Sequence, residues 1–126
     1  TGITISALGE DRGLIRMAWP EYDAYIRANY PNFAGYRVFR RRIASGETQT
    51  PIPMSNGHPS ETFFWRNLTE ASFEDIGIIE YDIDYQGDRY AAIYYVIIPV
   101  NNFGIDGISL FQIRLTLRAV KVFSTC

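Results

Sequence analysis

Ile15-Arg16-Met17-Ala18-Trp19-Pro20 reads as a strand with an abrupt end. Ile15, Met17 and Trp19 share one face, Arg16 and Ala18 the other, and Pro20 has no N–H to give to a ladder. The same two-residue period recurs along the chain. Ile3 and Ile5 alternate with Thr4 and Ser6, and Tyr36 and Val38 flank Arg37 in a segment opened by Gly35. Phe63-Phe64-Trp65 predicts a short strand, and Phe73 through Ile79 another, with Gly77 as a bulge or break. Residues 90–100 predict a long apolar strand. Ile113, Leu115 and Leu117 alternate with Arg114, Thr116 and Arg118 in a last one. Seven such strands and no long helix predict an all-β fold, a seven-stranded antiparallel Greek-key sandwich.

Two connections are longer than such a fold needs. In residues 20–34, Tyr22, Ile26 and Tyr30 recur at helical spacing, which predicts a short helical insertion between the second and third strands, ended by Pro31. Its tyrosine stripe reads as cover for the core or as part of a ligand site. The segment from Ala44 to Glu61 contains Pro51, Pro53, Pro59 and Ser55-Asn56-Gly57, and reads as an exposed loop.

At 126 residues the chain has the size of one domain, and a hydrophobic fraction of 47% is enough for a real core. The net charge of −2 argues against a general electrostatic grip on nucleic acid, which needs a clustered basic face. One basic run, Arg40-Arg41-Arg42 preceded by Arg37, alternates between strand faces and so makes no single stripe. Cys126 is the sole cysteine, so no disulfide forms within the chain and stability must come from packing. No apolar stretch is long enough to span a bilayer.

Few residues suggest chemistry. His58, the only histidine, lies in the turn-like Asn56-Gly57-His58-Pro59 and reads as a solvated loop residue, away from any preorganised triad. Cys126 and His58 together cannot supply four zinc ligands, and no glycine-rich phosphate loop is present, so no cofactor is expected. The best metal candidate is Asp82, Asp84 and Asp88, which echo the start of a calcium loop, but its twelfth position is Ile93 instead of a bidentate glutamate. An acidic turn is the alternative. Asn67-Leu68-Thr69 fits the glycosylation sequon, and no Arg-Gly-Asp triplet occurs.

The run from Ala91 to Val100 is apolar on both faces. With Tyr95 and Ile97 facing the core, Tyr94, Val96, Ile98 and Val100 face outward. That outer face is either covered by the chain's own insertions or is a contact surface for another subunit or domain.

In order along the chain, four pieces resemble a fibronectin type III domain of the divergent bacterial or phage-tail style. They are Ile15–Trp19, Gly35 to Arg41, Ser72 to Gly77, and Tyr95-Val96-Ile97-Ile98-Pro99-Val100-Asn101-Asn102-Phe103-Gly104, similar to the family's sixth strand and turn. The chain departs from the pattern at Pro99, in the length from Gly87 to Asn101, and in lacking Leu-x-Pro before Tyr95. The resemblance implies an immunoglobulin-like sandwich whose sheets stack about 10 Å apart. It also implies a non-catalytic structural or interaction module, extracellular, at the cell surface or in a virion, with other subunits or neighbouring domains as partners. The other implied role is recognition of a surface glycan or a protein through loops at one end. The candidates for that role are Tyr22, Tyr25, Tyr30 and Phe33 in the first long loop, with Asn101, Asn102, Phe103 and Asp106 in the turn after the sixth strand.

Overall fold

The computed structural model describes residues 4–6, 14–44, 46–76, 90–103, 111–116 and 120–123. In chain order these form β1 (Thr4–Ser6), β2 (Leu14–Ala18), α1 (Pro20–Asn29), β3 (Phe33–Ile43), β4 (Met54–Ser55), β5 (His58–Pro59), β6 (Phe64–Leu68), β7 (Ser72–Ile76), β8 (Ala92–Asn101), β9 (Phe111–Leu115) and β10 (Val120–Phe123). A turn of 3₁₀ helix, Glu61–Phe63, leads into β6. The seven expected strands have counterparts in β1, β2, β3, β6, β7, β8 and β9, and three more strands, β4, β5 and β10, join them. Gly77 lies outside the described residues.

All pairing among the described residues is antiparallel. β1, β2 and β7 form one sheet in that order, and β10-β9-β8-β3-β6 form a second. The middle of the larger sheet is the β3–β8 ladder, which runs from Phe33↔Asn101 to Ile43↔Ala92. Gly35 sits at its irregular start with φ of +149°, and a side chain there would collide with the carbonyl oxygen of Leu68 on β6. Glycine is required by both conformation and space.

The core between the sheets follows from the period of two. Ile15 and Met17 of β2, with Trp19, meet Phe73 of β7 on one side and Tyr36, Val38, Ile93, Tyr95, Ile97, Ile113 and Leu115 of the larger sheet on the other. Trp19 is fully buried, edge-on to Tyr36 at 5.4 Å and tilted against Phe73 at 5.9 Å. These separations suit aromatic pairs.

Pro20 both stops β2 and starts α1, because a first helical residue needs no N–H partner. Glu21 and Asp23 occupy the first turn and Arg27 the last, where each charge complements the helix dipole. Arg27 Nε donates to both carboxylate oxygens of Asp23, at 3.0 and 2.9 Å. The helix ends with Tyr30 N–H donating to Ile26 O, one residue before Pro31.

A second apolar layer lies on the opposite face of the larger sheet. Phe39, Ile43, Ala92, Tyr94, Val96 and Ile98 pack with Ile52, and Met54 and Phe63 pack against them. This explains the uninterrupted apolar run of β8: both of its faces are buried. The segment after β3, expected as an exposed loop, is partly structural. Its Asn56 and Gly57, at φ of 53° and 78°, turn the β4–β5 hairpin, and Ile52 is 1% exposed.

Candidate functional site

Two regions gather residues that could act on a partner or ligand. The first is the end of the molecule where α1 joins β3 and β8 reaches its turn. Phe33 pairs with Asn101, and Asn102 N–H donates to Asn32 O at 2.8 Å, so these two connections lie side by side. Asn101 Oδ1 accepts from Phe103 N–H at 2.9 Å, an Asx turn that shapes the loop tip. Tyr25 is 65% exposed and Phe103 is 75% exposed. The remaining expected aromatics do structural work. Tyr22 and Phe33 pack against the core, Phe33 lies edge-on to Tyr36 at 5.0 Å, and Tyr30 is the half-buried cap of α1. Asp106 lies outside the described residues, as do Asp82, Asp84, Asp88 and Cys126.

The outward face of β8 corrects the contact-surface expectation. Tyr94, Val96 and Ile98 are 1%, 0% and 0% exposed, sealed by Ile52, Met54 and Phe63 of the connection between β3 and β6. Val100 is half-buried at the strand's end. The cover is held in place by Gln112 of β9: Ile52 N–H donates to its Oε1 at 2.8 Å, and its Nε2 donates back to Ile52 O at 3.3 Å. His58, expected in solvent, is instead half-buried on β5, with Nδ1 3.0 Å from Asn56 O.

The second region is polar and lies at the edge of the core between the sheets. Asp75 on β7 points at the larger sheet and is 7% exposed. Its Oδ1 accepts from Arg40 Nη1 at 2.8 Å and Arg42 Nη2 at 3.0 Å, and its Oδ2 from the Tyr95 hydroxyl at 2.5 Å. Burial, and next the charge of Asp75, push the Tyr95 hydroxyl well above the ordinary tyrosine range. Arg42 Nη1 also reaches the Tyr90 hydroxyl at 3.2 Å.

Two local devices build this cluster. Arg40 and Arg42 continue the inward row of Tyr36 and Val38 along β3, so the basic run does place two guanidiniums on one face while Arg41 lies over Phe63 on the other. In β6 a register shift pairs Val38 with Arg66 and Phe39 with Phe64, leaving Trp65 as the extra residue of a bulge. Trp65 and Arg66 both line the groove. Arg40 and Arg66 lie over the Trp65 ring at 4.4 and 3.9 Å from its centroid, and Arg66 Nη2 donates to Glu74 O at 3.0 Å. With Leu14, Glu74 and Asp75, these residues bound an open groove of about 470 Å³. The sequence carried one signal for it, the alternation of Arg40 and Arg42; nothing local marked Asp75 as inward-facing.

Among the described residues no helix is long and apolar enough to cross a membrane. No protein-family model, curated protein or solved structure matches this chain.

Proposed function

We propose that the protein is a non-catalytic structural and interaction module, a divergent fibronectin type III sandwich that makes its contacts through one end. The sheet arrangement supports the fold reading. The first, second and fifth of the seven principal strands form one sheet, and the third, fourth, sixth and seventh form the other, as in the family's Greek-key sandwich. The placement in an extracellular assembly or virion follows the sequence resemblance.

One observation carries the contact reading. Of the three exposed large hydrophobics among the described residues, Tyr25 and Phe103 belong to the segments that meet at this end, and the third is Phe64. Aromatic side chains with a stable fold behind them are the usual anchors of protein interfaces. The neighbouring Asn101 and Asn102 add polar groups, so a glycan stacked on Phe103 is the second reading.

The test compares wild type with Tyr25→Ala and Phe103→Ala by sedimentation, pull-down and glycan-array binding. Self-association shows as a species heavier than the 14.4 kDa chain. Loss of association or capture in both variants, with unchanged melting, supports the reading. Association or capture that survives both substitutions defeats it.

A further inference from the structure

Among the described residues, the groove beside Asp75 contains more hydrogen-bond donors than acceptors. A guanidinium has five N–H donors. Arg40 uses one of them on Asp75, Arg42 one each on Asp75 and Tyr90, and Arg66 one on the backbone of Glu74. On the acceptor side, both oxygens of Asp75 are engaged, and the Glu74 carboxylate turns to Arg16 at 2.9 Å. Among the described residues, three guanidiniums therefore share one groove with the Asp75 carboxylate, on a chain whose net charge is −2.

The guanidiniums are also held in place. Arg40 and Arg66 stack on the ring of Trp65, and Arg40 and Arg42 are fixed by Asp75. A planar fork held by stacking loses less freedom when it takes up an anion than a free side chain does. Paired N–H groups of this kind match the geometry of carboxylate and phosphate oxygens.

We propose that the groove bounded by Arg40, Arg42, Trp65 and Arg66 is a binding site for an oxyanion, a carboxylate or phosphate group carried by a ligand. Asp75 is the structural part of the site: it neutralises part of the charge and aims two of the three guanidiniums. Arg66 makes no bond to Asp75; it spends one donor across the sheets on the Glu74 carbonyl and is the guanidinium with most left for the ligand.

Inorganic phosphate and glutarate, titrated separately at constant ionic strength, distinguish the two sources of oxyanion. The readout is the indole N–H resonance of Trp65 by NMR, with the core residue Trp19 as internal control. Binding predicts a saturable shift of the Trp65 signal and a nearly stationary Trp19 signal. Tighter binding of phosphate or of glutarate assigns the group. Arg66→Gln weakens binding by about tenfold or more, and Arg66→Lys, which keeps the charge but loses the fork, falls between. Both variants are checked for a cooperative melting transition, which shows that they remain folded. No saturable shift with either probe, or equal affinity in wild type and both variants, overturns the proposal.

Discussion

Tyr95 on β8 donates its hydroxyl hydrogen to Asp75 on β7 across the space between the two sheets, at 2.5 Å. The same carboxylate holds Arg40 and Arg42, whose side chains are only 20% and 18% exposed. Four polar groups thus hold one another at the rim of an apolar core, with guanidinium donors left over, and the penalty for breaking the set exceeds the benefit of making it.

Asp75→Ala strands two largely buried guanidiniums and is expected to cost about 3–5 kcal/mol. Tyr95→Phe keeps the ring and removes one bond to a charged acceptor, at about 1.5–3 kcal/mol. Urea unfolding of both variants gives the order. If Asp75→Ala is the milder change, the cluster does not brace the sheets.

Stability should also fall in alkali. The Tyr36 hydroxyl is raised above its ordinary value by burial first and by its hydrogen bond to Asp23 next, and Tyr95 is raised by burial and then by the charge of Asp75. The folded protein keeps both protons where the unfolded chain, titrating near pH 10, releases them. Their contribution is therefore complete below about pH 10 and declines above it, by about 1.4 kcal/mol per pH unit for each tyrosine. Tyrosinate absorbance followed alongside circular dichroism should show two of the nine tyrosines ionising only as the fold is lost. Full ionisation in a folded chain contradicts this.

Gln112 controls the cover over β8. Gln112→Ala leaves the buried N–H and C=O of Ile52 without their side-chain partner, a loss of about 1–3 kcal/mol for each group left unsatisfied. Limited proteolysis should cut the variant between Ala44 and Ser60 well before wild type. Equal cutting rates mean that Ile52 and its neighbours hold the cover without the clasp.

Trp19→Ala should be among the most damaging single changes, at about 3–5 kcal/mol. The indole is fully buried against Tyr36 and Phe73, and the residue's backbone bonds both Ala71 and Asp23, linking β7 to the start of α1. Chemical denaturation measures the loss, and a cost under about 1 kcal/mol shows that the core can close without the ring.

Alternation of side chains was enough to locate the principal strands and the inward row from Ile15 to Trp19, because period two is a local property of a pleated chain. The spacing of Tyr22, Ile26 and Tyr30 likewise exposed α1. The identity of the cover was not legible. The run Tyr94 to Ile98 said that a second apolar face existed, but only tertiary packing brings Ile52 onto it. The Asn56-Gly57 pair is a turn signal and marks the β4–β5 hairpin, but its flanks Ser55 and His58-Pro59 lack the apolar alternation that distinguishes a hairpin from a loop. Asp75 was the hardest to place, since an acid within Phe73-Glu74-Asp75-Ile76 looks like surface until the opposing guanidiniums are known.

The ladder between β3 and β8 joins residues as distant along the chain as Phe33 and Asn101. A ribosome must therefore extrude the chain through β8 before the centre of the larger sheet can close. Until then the eleven-residue β3 lacks its β8 partner. Refolding is accordingly expected on the millisecond-to-second scale typical of non-local β topologies, with clumping of nascent chains as the competing fate.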